Sequence, residues 1–260
     1  MTAAPRLPAA DTEAIERATL QAVAPQWVEA LEAGHWLLPM DPGTVGRARS
    51  AVPLRHEAPR DPAGLLDRIA ERYEARGLPM QLRVADAACF DGMAEAMAAR
   101  GLAGARPTHT QVGSLRTMRS VSQGQPAEVS AAPDGGWTGV FLGPGFDPVD
   151  GACRVQSLTR ASGNLFASVR DENGATLAAG AVSLGHGWAG VHGMRTEQSA
   201  RGRGLAGRVL AGLAQAALDR GYERVFLQVE AGNEAALALY RRAGFQPAWT
   251  YRYWQPRAPR

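Results

Sequence analysis

Residues 201–207 read Arg-Gly-Arg-Gly-Leu-Ala-Gly, and what flanks them constrains this 260-residue chain more than any other feature. Before them, 188–196 alternates as a strand. After them, Leu205, Val209, Leu213 and Ala216 recur at helical spacing until Gly221 closes the pattern. Glycines between a strand and a helix let the backbone approach an anion, and the free N–H groups of the helix start point at it. The helix dipole adds attraction for phosphate. The segment reads as a pyrophosphate cradle.

Two kinds of ligand suit such a cradle. Gly202-x-Gly204-x-x-Gly207 is formally a dinucleotide fingerprint, and Glu230 ends the next strand at a suitable distance. The context speaks against it. Two alternating runs, 165–171 and 176–186, flank Asn173-Gly174, the strongest short hairpin signal. The strands before the loop are therefore antiparallel, whereas a dinucleotide fingerprint opens a parallel unit. After Glu230 only one helix and one or two strands remain, too little for the rest of a dinucleotide fold.

The remaining pattern divides the chain. Asp11 is expected to cap a first helix bearing Ile15, Ala18, Thr19 and Ala22, with Pro25 ending it. A short turn carrying Trp27, Val28 and Leu31 follows, then a strand over 35–40 with 45–53 as its hairpin partner. Residues 61–77 form a helix with Leu65, Leu66, Ile69 and Tyr73 inward. A strand at 80–86, a helix at 90–100 and a strand at 108–115 complete the first half. Ser, Gln, Gly, Pro and Ala then dominate 121–136, which is linker composition. The expected domains are 1–120 and 137–260, joined by 121–136. Beyond the linker come two short helices, the hairpin, the 188–196 strand, the cradle and its helix. A strand at 224–230, a helix capped by Asn233, and an aromatic strand close the chain. Trp249, Tyr251 and Tyr253 share a face of that last strand, either as walls of an acceptor pocket or, the favoured reading, as core between the halves.

Composition narrows the partners. The net charge is only +3, and every basic residue is an Arg scattered along the chain, so the clustering that a nucleic-acid face needs is missing. No apolar run approaches the roughly 20 residues that span a bilayer. The first ten residues lack a signal-peptide core. The expectation is a cytoplasmic protein with neither nucleic acid nor membrane as partner. Cys89 and Cys153 lie far apart without Cys/His companions, so neither a metal site nor a disulfide is expected.

With these residues in place, the chain resembles the GNAT N-acetyltransferase superfamily. That family's coenzyme A loop, Gln/Arg-x-x-Gly-x-Gly/Ala, matches Arg201, Gly204 and Ala206. Its following strand, Asn, helical Tyr and Gly-Phe match Asn233, Tyr240, Gly244 and Phe245. The resemblance covers about 137–254. It implies an α/β (α+β) fold, a mixed and mostly antiparallel sheet flanked by helices, in two similar lobes. The first half has no such loop and is similar to a degenerate copy that cannot hold coenzyme A.

The resemblance further implies roles. Acetyl-coenzyme A is the co-substrate, and no metal takes part. The backbone of Met194, Arg195 and Thr196 pairs with the pantetheine arm, and an N–H near Met194 polarises the thioester carbonyl. Arg201, Gly202, Arg203, Gly204, Leu205, Ala206 and Gly207, together with Asn233, form the binding set. Tyr240 donates to the departing thiolate. With a thiol pKa of ~8.5 and a Tyr pKa of ~10, full transfer is uphill by about 2 kcal/mol, so hydrogen-bond stabilisation is expected. The attacking amine must be neutral, and His192 on the strand before the loop is the candidate base, with Glu230 and Glu197 as further candidates. His192 is read as facing the same side as Trp188, Met194 and Thr196. The expected reaction is direct acetyl transfer to a small-molecule or peptide amine in one ternary complex. A non-catalytic acyl-coenzyme A sensor is the alternative, and monomer and homodimer are both left open.

Overall fold

The computed structural model describes residues 7–257. Helix α1 (Ala9–Val23) starts on Pro8, so Asp11 lies inside its first turn rather than at the cap, where it accepts a hydrogen bond from Arg224 at 2.6 Å. Pro25 follows the helix end. Residues expected as a turn there form β1 (Trp27–Leu31), which pairs antiparallel with β2 (Trp36–Met40). The expected partner of β2, 45–53, is interrupted by a 3-10 turn at Gly46–Ala48 and a bend after it. Only β3 (Val52–Pro53) remains to pair, so β1 supplies the other edge.

A larger sheet combines both halves of the chain. Helix α2 (Pro62–Glu74) is capped by Asp61 and buries Leu65, Leu66, Ile69 and Tyr73 as the pattern predicts. Strand β4 (Leu82–Ala85), helix α3 (Asp91–Ala99), strand β5 (Leu102–Ser114) and helix α4 (Leu115–Arg119) follow. Then come β6 (Glu128–Ser130), α5 (Gly135–Leu142), α6 (Pro148–Arg160), β7 (Asn164–Arg170), β8 (Thr176–Gly185) and β9 (Trp188–Thr196). The chain closes with α7 (Leu205–Leu218), β10 (Arg224–Glu230), α8 (Glu234–Arg242) and β11 (Gln246–Pro256). The strand order is β4-β11-β5-β10-β9-β8-β7-β6, with eight strands, and every neighbouring pair is antiparallel except β9 and β10.

Strand β5 of the first half thus lies between β10 and β11 of the second, and the two halves share one sheet. Residues 121–136 also contribute to it. Glu128–Ser130 pairs with β7, and the Ala127 N–H donates to the Arg208 carbonyl at 2.9 Å. An unpaired sheet edge needs partners, and this polar segment supplies them.

Helices cover both faces. Helix α7 lays Val209, Leu210, Leu213, Ala214 and Ala217 on Ala167, Val169, Ala178, Val182 and Val191. Burying a Leu or Val in this way contributes about 1.5–3 kcal/mol each. On the other face, Trp137, Phe141 and Leu158 pack on Phe166, Ala179 and Ala181, while Ile15 and Ala18 of α1 pack on Trp188 and Phe226. Glu16 of α1 reaches Arg83 of β4 in a 2.6 Å ion contact closed to solvent, with the Arg83 guanidinium 5.1 Å from the Tyr251 ring centre. Removing either partner would strand a buried charge at a cost of about 3–5 kcal/mol. Tyr251 and Tyr253 are buried edge to face, as core between the halves. Trp249 packs beside them against His56.

Candidate functional site

The site begins with a defect in β9. On β8 only Gly180 lies between Ala179 and Ala181, whereas on β9 Gly193 and Met194 both lie between their partners Arg195 and His192. The extra residue makes a bulge. Gly193 takes φ +60°, and a Cβ there would meet Leu158 at 2.8 Å and Phe141 at 3.2 Å, so only glycine fits without displacement. The bulge breaks the alternation expected of the strand. His192 stays on the Trp188 and Phe226 side, its ring 5.9 Å edge-on to Phe226. Met194 moves to the α7 side, where its Sδ lies 2.7 Å from a Cβ built on Gly180. His192 and Met194 therefore face opposite sides, contrary to the period-2 reading.

Beside the bulge the sheet opens. The parallel pairing of β9 with β10 covers only Ala189–Val191 against Val225–Leu227. Beyond it β10 stays with β5 and β9 stays with β8. From His192 to Thr196 the other edge of β9 has no strand partner, so its backbone groups are free to bond a ligand.

A cavity of about 770 Å³ lies along this edge. Its walls include Met194, Arg195, Thr196, Arg201, Gly202, Gly204, Leu205, Ala206, Gly207, Asn233 and Tyr240. Among the residues expected to bind coenzyme A, Arg203 alone does not line it and is exposed. Gly202 and Gly204 adopt φ +77° and +74°, with nothing within 4 Å of a Cβ at either. They are needed for backbone conformation, not for space. Gly204 is the N-cap of α7; the Gly207 N–H donates to its carbonyl at 3.0 Å, while the amides of Leu205 and Ala206, both lining the cavity, have no carbonyl one turn earlier. The Asn233 side chain accepts from the Ala236 N–H at 3.2 Å and so caps α8, which carries Tyr240. Val121, Ser122 and Gln123 also line the cavity, from a segment whose composition signals only a linker.

A second cavity, about 320 Å³, lies on the other side of the opening. His192, Gln228 and Glu230 line it with Arg47 of the first half and Arg154 of α6. Phe146, Met194, Arg195, Asn233 and Tyr240 line both cavities, so the two meet there. Tyr240 is 7 % exposed, and burial pushes its hydroxyl pKa up to about 12. It stays protonated as a donor. His192 is 3 % exposed, and burial together with the Arg47 charge holds its pKa well below the ordinary value of 6.5. Its ring is neutral, with neither nitrogen hydrogen-bonded within the protein. Glu197 lies outside both cavities and accepts from Ser199 at 3.4 Å. Among the described residues no His/Cys/Asp/Glu cluster is arranged to hold a metal, and no helix is long and apolar enough to cross a membrane.

A mostly antiparallel sheet thus opens at one parallel pair, above a glycine loop and the start of a helix. Solved structures share the fold. A GCN5-related N-acetyltransferase from Kribbella flavida aligns with a TM-score of 0.68 at 20% identity, over 95% of this chain and 96% of that one. A tandem GNAT protein from the clavulanic acid biosynthesis pathway aligns with a TM-score of 0.59 at 15% identity, over 98% of each chain. The chain belongs to the family described as probable histone acetyltransferase Rv0428c C-terminal, which it matches over residues 9–254. That match takes in the first half as well as the 137–254 region that carries the motifs. Among curated proteins, the uncharacterized N-acetyltransferase YobR of Bacillus subtilis is 37% identical over 76 residues, 29% of this chain. The match spans 31% of the length of that relative.

Proposed function

We propose that the protein transfers an acetyl group from acetyl-coenzyme A to a primary amine by direct attack in one ternary complex. The observation that carries this reading is the meeting of two cavities at Tyr240, with the unpaired edge of β9 between them. The larger cavity suits the donor. Glycines at positive φ, open amides at the start of α7 and a free strand edge match an anion joined to an amide-bearing arm. Met194, Arg195 and Thr196 would pair with the arm. Arg201, Gly202, Gly204, Leu205, Ala206 and Gly207 would surround the pyrophosphate, with Asn233 near the thiol end. Acetyl-coenzyme A supplies the activated acyl group.

The protein's own groups then have defined tasks. Tyr240 donates a hydrogen bond to sulfur as negative charge develops there. With its pKa at about 12 against ~8.5 for a thiol, full proton transfer is uphill by about 5 kcal/mol, so hydrogen bonding is its contribution. A free N–H of β9 near Met194 polarises the carbonyl. His192 is a weak base, yet the proton it accepts becomes acidic once nitrogen bonds to carbon, so a weak base suffices. Glu230, at the open end of the second cavity, gives that proton a route to water. Residues 137–260, with Val121, Ser122 and Gln123 of the joining segment 121–136, would hold the donor, and 1–120 would shape the acceptor side through Arg47. A sensor of acyl-coenzyme A would have no use for the second cavity.

A thiol-release assay with acetyl-coenzyme A and a panel of amines, with product masses, tests the proposal. Amine-dependent release that falls about 100-fold in Tyr240→Phe is expected. Donor binding without release for any amine would overturn the enzymatic reading.

A further inference from the structure

We propose that the acceptor is a small amine that also carries a carboxylate, in its simplest form an amino acid, with the carboxylate held between Arg47 and Arg154. The inference rests on reading the second cavity as the acceptor side. The volume of that cavity, about 320 Å³, equals about ten waters, which is room for a molecule of amino-acid size.

The charges on its walls are unbalanced. Arg47, Arg154 and Arg195 face it with Glu230 as the one carboxylate among its lining residues. Behind the wall, Asp150 serves two of the arginines at once, 2.6 Å from Arg154 Nε and 3.3 Å from Arg195 Nη2. Arg47 makes no ion pair with any described residue, and its Nη1 donates instead to the neutral Gln228 Oε1 at 3.0 Å. Two further donors at the cavity, Arg195 Nη1 and Gln228 Nε2, are buried without a hydrogen-bond partner, although the Arg195 guanidinium lies 3.9 Å from the Phe146 ring centre. Both ring nitrogens of His192, itself 3 % exposed, are unpartnered as well. Orphaned buried donors call for an accepting group, and guanidinium forks match a planar carboxylate.

The opposite end fits the amine. Glu230 is exposed at the edge of the cavity and has no cationic partner among the described residues, so it can meet the incoming ammonium. A polybasic peptide would bring further cations against the same arginines and is disfavoured.

The test uses the full chain with the common α-amino acids, each beside its own carboxamide, together with a simple alkylamine and a lysine-rich peptide. At least one amino acid should be acetylated with a kcat/KM about tenfold or more above its carboxamide, the worth of one charged hydrogen bond. In Arg47→Gln, and independently in Arg154→Gln, that preference should shrink to about threefold or less, through KM, with acetyl-coenzyme A binding unchanged. If no amino acid outruns its carboxamide while acetyl-coenzyme A binds, the carboxylate assignment falls and the donor reading stands. Preferential acetylation of the alkylamine or the lysine-rich peptide overturns the carboxylate assignment equally. If the wild-type protein fails to bind acetyl-coenzyme A, the donor reading falls first and this inference with it.

Discussion

The larger cavity draws most of its walls from 194–207 and the first turns of α8, whereas the smaller one draws on Arg47, Arg154, β9 and β10. One is a strand edge, a glycine loop and a helix start, arranged by backbone conformation. The other is a set of side chains that meet only because β5 joins the halves in one sheet and α1 packs on β8 and β9. Backbone recognition of this kind suits a ligand common to a whole class of proteins, and side-chain recognition suits one particular to a member. The bulge at Gly193–Met194 separates the two by turning His192 to one face and Met194 to the other.

Substitutions on either side of Tyr240 can break this division or sharpen it. The largest effect is expected from Gly204→Glu. It forces a side chain onto φ +74° and sets a carboxylate where phosphate is to bind. Calorimetry should show acetyl-coenzyme A affinity falling about 300-fold or more, as strain and repulsion add. Tyr240→Phe should lower kcat about 100-fold and leave acetyl-coenzyme A affinity nearly unchanged. An equal loss in affinity would place the hydroxyl in binding rather than in transfer. Arg47→Gln should raise the acceptor KM about tenfold and spare donor binding, and a loss of donor affinity would dissolve the division between the cavities.

His192 offers a different reading, through stability. Its folded pKa is depressed by burial and Arg47, so below about pH 6.5 the unfolded chain binds the proton more readily. The stability of the native state is full above that pH and is lost as pH falls from there toward the folded value. His192→Gln, which cannot be protonated, should flatten the fall of Tm between pH 7 and pH 5. An unchanged slope would show that the ring is not held neutral. The smallest effect is expected from Arg203→Ala. This exposed side chain stands outside the larger cavity, so acetyl-coenzyme A affinity should change less than about threefold.

The same contrast explains what was legible in the sequence. Strands 188–196 and 224–230, the Asn233 cap and the Leu205 start of α7 follow from local periodicity and capping, and the structure places them at those residues. Most residues of the donor cavity belong to these local patterns. Four things were not legible. The bulge depends on Gly193 meeting Leu158 and Phe141 from another helix layer, so period-2 reading put His192 and Met194 on one face. The place of β5 between β10 and β11 is a pairing across more than 100 residues. Arg47 and Arg154 look like any other arginine in a chain that uses Arg for every basic residue. Ser122 and Gln123 line the donor cavity from a stretch with linker composition, which carries no positional signal.

Calorimetric titration of the purified protein with acetyl-coenzyme A, and with NAD as control, tests the central claim most directly. The account predicts micromolar binding of acetyl-coenzyme A at one site per chain and no heat from NAD. Binding of NAD, or of neither ligand, would contradict the assignment of the 201–207 cradle and the open edge of β9 to an acyl-coenzyme A donor.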